Sequence, residues 1–248
     1  MRIKDTSNQE YRMQKQLTIN GAELHYESVS QDWIVTDDNG NEEVTFFTYS
    51  YFRTDTEDKN RPVLFAFNGG PGSSCSQLHL GILGPTRIDF PAPEQQKPGE
   101  APTLIPNDAS PLDVCDIVMI DPPGTGYARL LNDEAAAQYL SVDGDAAATA
   151  LLIEAWLLRY DRFRSPVYIM GESYGTIRNL AVADVLLEKV DLAGIVSIGT
   201  SFNVGSPTTM LVEPNVRRLG ANAACCWYHL HRDEMPQRQF VQEAMDFA

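Results

Sequence analysis

Two short motifs in this sequence have the residue types and spacing that acyl transfer requires. Gly171-Glu172-Ser173-Tyr174-Gly175 follows the apolar run Val167-Tyr168-Ile169-Met170 and precedes a segment of helical periodicity. A serine in a tight strand-to-helix turn, between glycines that keep side chains clear, holds its hydroxyl over the end of the sheet. The amides and dipole of the following helix favour negative charge there. The plainer reading of the same residues is a serine that caps the helix, with glycines for packing. Asn68-Gly69-Gly70-Pro71-Gly72 is the second motif, and it follows another apolar run, Pro62 to Phe67. Acyl transfer needs two amides aimed at the developing oxyanion. One comes from the residue after the nucleophile, here Tyr174, and the other from a glycine-rich turn after an earlier strand. Alone the second motif is a tight turn; about a hundred residues upstream of Ser173 it is a partner for it.

A serine hydroxyl is a weak nucleophile until a base takes its proton and an acid orients that base. In this kind of site the partners follow the serine, acid first and histidine second. Only His229 and His231 follow Ser173, in the aromatic stretch Cys226-Trp227-Tyr228-His229-Leu230-His231. They read as packing or surface residues. His25 and His79 precede the serine and read as structural. The expectation is therefore a nucleophile whose base and acid lie elsewhere. The chain is then a fragment, a truncated product, or one that completes its site with another polypeptide.

The elements that must position these motifs are legible in the hydrophobic pattern. Leu17 to Arg53 alternates as antiparallel strands, with a hairpin expected through Asp37-Asp38-Asn39-Gly40-Asn41. Pro62–Phe67, Ile117–Ile120 and Val167–Met170 are continuous apolar runs, as expected of strands buried on both faces, and Leu192–Ile198 reads as a fourth. Helices are predicted over Asp145–Phe163, with Ser141 as cap, and over Thr176–Lys189. Strands alternating with helices predict an α/β fold with a doubly wound, mostly parallel sheet behind antiparallel N-terminal strands. Pro91 to Pro111 reads as a long surface loop, and the strand signal stops at Ser206.

Acidic residues outnumber basic ones 34 to 19, a net charge of −15, which would repel nucleic acid and anionic membrane. No apolar stretch approaches the ~18 residues of a membrane helix. The polar start, Met1 to Tyr11, has no signal-peptide core, so the expected location is cytoplasmic. Cys75, Cys115, Cys225 and Cys226 have neither zinc-ligand spacing nor a relaxed route to a disulfide between neighbours, and read as thiols. No cofactor or metal is expected.

Asn-Gly-Gly-Pro-Gly-Ser-Ser at 68–74, Asp-Pro-Pro-Gly-Thr-Gly at 121–126 and Gly-Glu-Ser-Tyr-Gly at 171–175 resemble three signatures of the serine carboxypeptidases, in that family's order. Leu83-Gly84-Pro85 fits as well, and Phe65-Ala66-Phe67-Asn68 with Trp227-Tyr228-His229 points to a bacterial carboxypeptidase-like branch. The resemblance implies an α/β-hydrolase fold, present in its N-terminal part over residues 1–205, with the start of a helical cap over 206–248. It implies that Ser173 attacks the acyl carbon, that Gly70 and Tyr174 donate the oxyanion amides, and that Asn68, Gly69 and Glu172 bind substrate. A second glutamate and a tryptophan of the family's carboxylate subsite are replaced by Ile82 and Ala66. Strict exopeptidase specificity is thereby weakened. The expected partner is a peptide or acyl substrate, with an esterase, an acyltransferase or a non-catalytic binding protein as alternatives. Family members are longer, so the sheet is expected to be completed by a further C-terminal segment or by a second copy of the chain.

Overall fold

A computed structural model describes residues 1–4, 10–90, 99, 101–200, 213–231 and 234–247. Among them are strands β1 (Arg2–Lys4), β2 (Tyr11–Ile19), β3 (Ala22–Thr36), β4 (Glu42–Arg53), β5 (Val63–Phe67), β6 (Thr86–Asp89), β7 (Thr103–Pro106), β8 (Asp116–Asp121), β9 (Val167–Glu172) and β10 (Leu192–Ile198). The helices are α1 (Ser76–Leu78), α2 (Asp133–Tyr139), α3 (Val142–Arg159), α4 (Gly175–Leu186), α5 (Glu213–Cys226) and α6 (Gln237–Phe247). Two compact units divide between Phe202 and Asn203.

The first unit is built on an eight-stranded sheet in the order β1-β3-β4-β8-β5-β9-β10, with β2 also paired to β3. Its early strands are antiparallel. β2 turns into β3 through Asn20 and Gly21, both at positive φ (51° and 80°), the geometry that a two-residue hairpin demands. The β3–β4 turn is organised by Asp37, whose carboxylate accepts hydrogen bonds from the Asn39 and Asn41 amides (2.9 and 2.8 Å). β4 runs antiparallel to β8, and from there β8, β5, β9 and β10 are parallel. The fold is the α/β type expected.

β5 and β8 read as unbroken apolar runs because each has a core on both faces, whereas β10 is largely exposed. Val63, Phe65 and Phe67 of β5 pack with α3 and α4, while Leu64 and Ala66 point into a second core with Leu78, Leu112 and Met119. Trp156 of α3 is fully buried between Phe52, stacked at 5.5 Å, and Phe65, edge-on at 5.2 Å, and its indole donates to Ser50 Oγ at 2.9 Å. Ser141 caps α3 by accepting from the Gly144 amide at 3.0 Å, so the helix starts at Val142, one turn before the first strongly periodic residue.

Three features differ from the sequence expectation. The sheet begins at Arg2 and Tyr11 rather than at Leu17, because β1 and the outer half of β2 are exposed edge segments with no alternation to betray them. Helix α2 was not anticipated; it is seven residues capped by Asn132, whose side chain accepts from the Ala135 amide at 2.8 Å. Of the loop expected over Pro91–Pro111, residues 91–98 and 100 lie outside the described residues, and Thr103–Pro106 is a strand paired with β6. That small sheet is held by bonds a pattern search does not see: Asn107 Nδ2 donates to the carbonyls of Ile82 and Gly84 (2.8 Å each), and Ser110 Oγ donates to Leu83 O at 2.7 Å. These bonds fix the Leu83-Gly84-Pro85 turn.

In the second unit α5 and α6 pack on each other, with Gly220 facing Met245 and Val241. Trp227 Nε1 donates to Met235 O at 2.5 Å, His229 meets the ring of Tyr228 edge-on, and His231 stacks on Phe240 and pairs with Glu234 at 2.8 Å. The expected start of this segment, 206–212, lies outside the described residues. Among the described residues no helix is long and apolar enough to cross a membrane.

His79, at the end of α1, lies under β4: its Nε2 is 2.6 Å from Tyr51 Oη and its ring is 4.7 Å from that of Tyr49. Burial pushes the imidazole down to about 4 from its ordinary 6.5, against an opposing pull from Asp121. The unfolded chain then binds the proton more readily than the folded one. Its contribution to stability is complete above the unfolded value and is lost as pH falls from 6.5 through 4. Urea unfolding at pH 7 and pH 4 should show a loss on acidification larger by on the order of 2–3 kcal/mol in the wild type than in His79→Gln. Equal losses in the two proteins would remove His79 from the account.

Candidate active site

Ser173 sits between the end of β9 and the start of α4 with φ of 57°, in the left-handed region that non-glycine residues seldom occupy. The turn is tied down on both sides. Ser173 N donates to Ile198 O of β10 at 2.9 Å, and Ser173 O accepts from Thr176 N (3.0 Å) and Thr176 Oγ1 (2.7 Å). Glycine is required before and after it. A Cβ on Gly171 would overlap the Gly175 carbonyl, and one on Gly175 would come 3.0 Å from Phe67 O. The Ser173 side chain is partly accessible, and its hydroxyl has no hydrogen-bond partner among the described residues.

The glycine-rich turn lies against this elbow. A Cβ on Gly69 would sit 2.6 Å from Glu172 O and 3.0 Å from Gly175 N, and inside contact distance of the Tyr174 amide nitrogen. Gly69 is thus a spacer: only a residue without a side chain lets the two turns close on each other. Gly70, next in the chain, has φ of 103°. The two turns expected to supply the oxyanion amides are brought to the same end of the sheet.

Asn68 joins the remaining pieces. It is fully buried, its Nδ2 donates to Glu172 Oε2 at 3.1 Å and to Gln77 Oε1 at 3.4 Å, and its Oδ1 accepts from the Leu78 amide at 3.1 Å. Of the two positions where the resemblance expects a glutamate and a tryptophan, Ile82 is half exposed and Ala66 is fully buried in the second core.

Four residues to which the sequence reading gave no role in the site hold this arrangement. Arg178 of α4 donates through Nη1 to Asn68 O at 2.8 Å and through Nε to both Asp145 oxygens at 3.0 and 2.8 Å. Its guanidinium also lies over the rings of Phe67 and Tyr174, 5.1 and 5.4 Å from their centroids. One buried cation therefore ties the glycine-rich turn, the elbow helix and α3. Burial pushes the Asp145 carboxyl up, and Arg178 only partly opposes it. Asp121, the first residue of the 121–126 motif, is buried and accepts from Cys75 N at 2.8 Å and Tyr127 N at 3.2 Å, which couples the loop after Gly72 to the turn after β8. Its carboxylate lies where a Cβ on Gly126 would be, which accounts for that glycine. Gln77 adds a second carboxamide beside Asn68. A charged residue three places into a helix, as Arg178 and Asp145 both are, or an aspartate in a family signature, gives no sign in the sequence of which group it will hold.

The serine carboxypeptidase family profile matches residues 28–193, two thirds of the chain and all three of its motifs. This chain belongs to that family. Among curated relatives, serine carboxypeptidase-like 8 of Arabidopsis thaliana is 25% identical over 191 residues, covering 72% of this chain and 40% of the relative. Serine carboxypeptidase-like 13 of the same plant is 29% identical over 143 residues, covering 54% of this chain and 30% of the relative. A prohormone-processing carboxypeptidase from Saccharomyces cerevisiae shares the fold, with a TM-score of 0.54 at 17% identity over 98% of this chain and 53% of that one. This chain thus spans about half the length of the solved structure it matches and less of the curated relatives.

Proposed function

We propose that this chain carries the nucleophile and the oxyanion hole of a serine hydrolase of the carboxypeptidase type. The observation that carries the reading is the contact between the two turns. Ser173 is on a left-handed elbow, and the glycine turn at 69–70 closes on the Tyr174 amide. In this reading Ser173 Oγ adds to the acyl carbon as a base removes its proton. The carbonyl oxygen becomes an oxyanion held by the Gly70 and Tyr174 amides, and collapse of the adduct expels the leaving amine or alcohol, which takes up a proton. Water then releases the acyl group from the serine.

Asn68, with Gly69 and Glu172 beside it, is the proposed contact for the substrate's terminal carboxylate. Where that subsite holds two glutamates, they can share a proton and so favour acid pH. With Ile82 in place of the second one, Glu172 has no glutamate there to share a proton with, and its Oε2 accepts instead from Asn68 Nδ2, an amide that donates at any pH. The complete enzyme is then less dependent on acid and more tolerant of ester or amide-capped substrates, which is also what favours an esterase or acyltransferase on this scaffold. Residues 206–248 are proposed to be the start of the cap.

The test is covalent labelling. A fluorophosphonate should modify Ser173 alone, as read by peptide mapping, and Ser173→Ala should abolish the adduct. Gly69→Ala, which forces the two turns apart, should slow labelling by about 10²-fold or more, the effect of losing one oxyanion donor. Modification of another serine, or full-speed labelling of Gly69→Ala, would contradict the assignment.

A further inference from the structure

At the opposite end of the sheet from Ser173, about 20 Å away by the length of β9, a cleft of about 710 Å³ opens at the N-terminal ends of β5, β8 and β9. Five basic residues line it, Arg53, Lys59, Arg61, Arg162 and Arg164, against three aspartates, and Arg53 is paired outside the lining with Asp55 at 2.6 Å. In a chain of net charge −15 that is a local reversal of sign.

The floor of the cleft is an unbalanced buried cluster. Arg61 and Arg162 are each about nine-tenths buried, and they share one carboxylate, Asp116, through Arg61 Nε at 3.4 Å and Arg162 Nη1 at 2.5 Å. Two fixed guanidinium charges thus face one carboxylate, which leaves one positive charge uncompensated where water is scarce. A guanidinium has five N–H donors. Arg61 directs its other bonds to Asp113 O and Leu112 O, and Arg162 directs its own to Ser165 Oγ and Arg61 O. Each thus uses three donors and keeps two. Lys59 and Arg164, exposed on the rim, have no ion-pair partner among the described residues. Of the two remaining aspartates, Asp58 caps the Asn60 amide at 2.9 Å, and Asp161 is exposed on the cleft wall at φ of 53°.

We propose that this cleft binds a phosphorylated small molecule, with the phosphate seated between Arg61 and Arg162 and gripped at the rim by Lys59 and Arg164. Guanidinium forks match phosphate oxygens in pairs, and a dianion supplies the charge that the cluster lacks. The volume suits a metabolite-sized ligand rather than a polymer, which the chain's overall charge repels.

Inorganic pyrophosphate is the probe, titrated into the chain in a calorimeter at constant ionic strength, with citrate and sodium chloride as the other arms. The expected result is saturable binding of pyrophosphate that is at least tenfold weaker in Lys59→Ala/Arg164→Ala. Both changes are on exposed side chains and should leave the unfolding midpoint and the rate of Ser173 labelling unchanged. Pyrophosphate heats no different from sodium chloride, or unweakened binding in the double variant, would overturn the proposal. Citrate binding as tightly as pyrophosphate would overturn the phosphate assignment.

Discussion

Added alone to a fluorophosphonate, the 248-residue chain should label slowly, and supplying a segment that contributes an aspartate and a histidine should accelerate labelling by roughly 10³-fold or more. The reason is local. Ser173 Oγ has no hydrogen-bond partner among the described residues, and His79 is engaged with Tyr51 beneath β4. An unassisted hydroxyl leaves only the proposed oxyanion amides and binding to lower the barrier, an effect of ~10³–10⁴ over water. The segment can come from the C-terminal region of a relative, given that this chain covers 40% of serine carboxypeptidase-like 8. β10 offers it a place, since it is the last strand of the order and both Ile195 and Val196 are more than a third exposed. Fast, stoichiometric labelling of the chain by itself would mean that a base is already present, and His229 would then be the first residue to replace.

The second large effect is on stability. Arg178→Ala should cost about 3–5 kcal/mol in urea unfolding, because it strands the Asp145 carboxylate, buried and without its cation. The change also removes the bond to Asn68 O and the packing over Phe67 and Tyr174, so the glycine turn should lose its register with the elbow. Asp145→Asn/Arg178→Met, which removes both charges and keeps the volume, should recover most of the stability. It should not recover the labelling rate, since the tie to Asn68 O is still missing. Recovery of both would reduce Arg178 to a packing residue. A loss below about 1 kcal/mol would contradict the clamp altogether.

The parallel half of the fold was legible because its physics is written in composition. Val63–Phe67 and Asp116–Asp121 are buried on both faces, and only an unbroken apolar run meets that demand. The β3–β4 hairpin was legible because Asp37–Asn41 carries its turn chemistry in residue type. The β6–β7 pair was not, since four polar-flanked residues on each side are held by Asn107 and Ser110 reaching main-chain carbonyls across more than twenty residues. The same division runs through the site. Ser173 and the glycine turn were legible because strain and close approach restrict which residues can be there. Arg178 and Asp121 were not, because they hold backbone groups 110 and 46 residues away, Asn68 O and Cys75 N, and Asp145 was not, because its partner is the Arg178 side chain 33 residues further on.

The most direct test of the central claim is a crystal structure of the chain after phosphonylation. The account predicts phosphorus bonded to Ser173 Oγ, with one phosphonyl oxygen about 3 Å from both the Gly70 and the Tyr174 amide nitrogens. A phosphonyl oxygen turned to solvent, or a Gly70 amide that points away from the adduct, would contradict it.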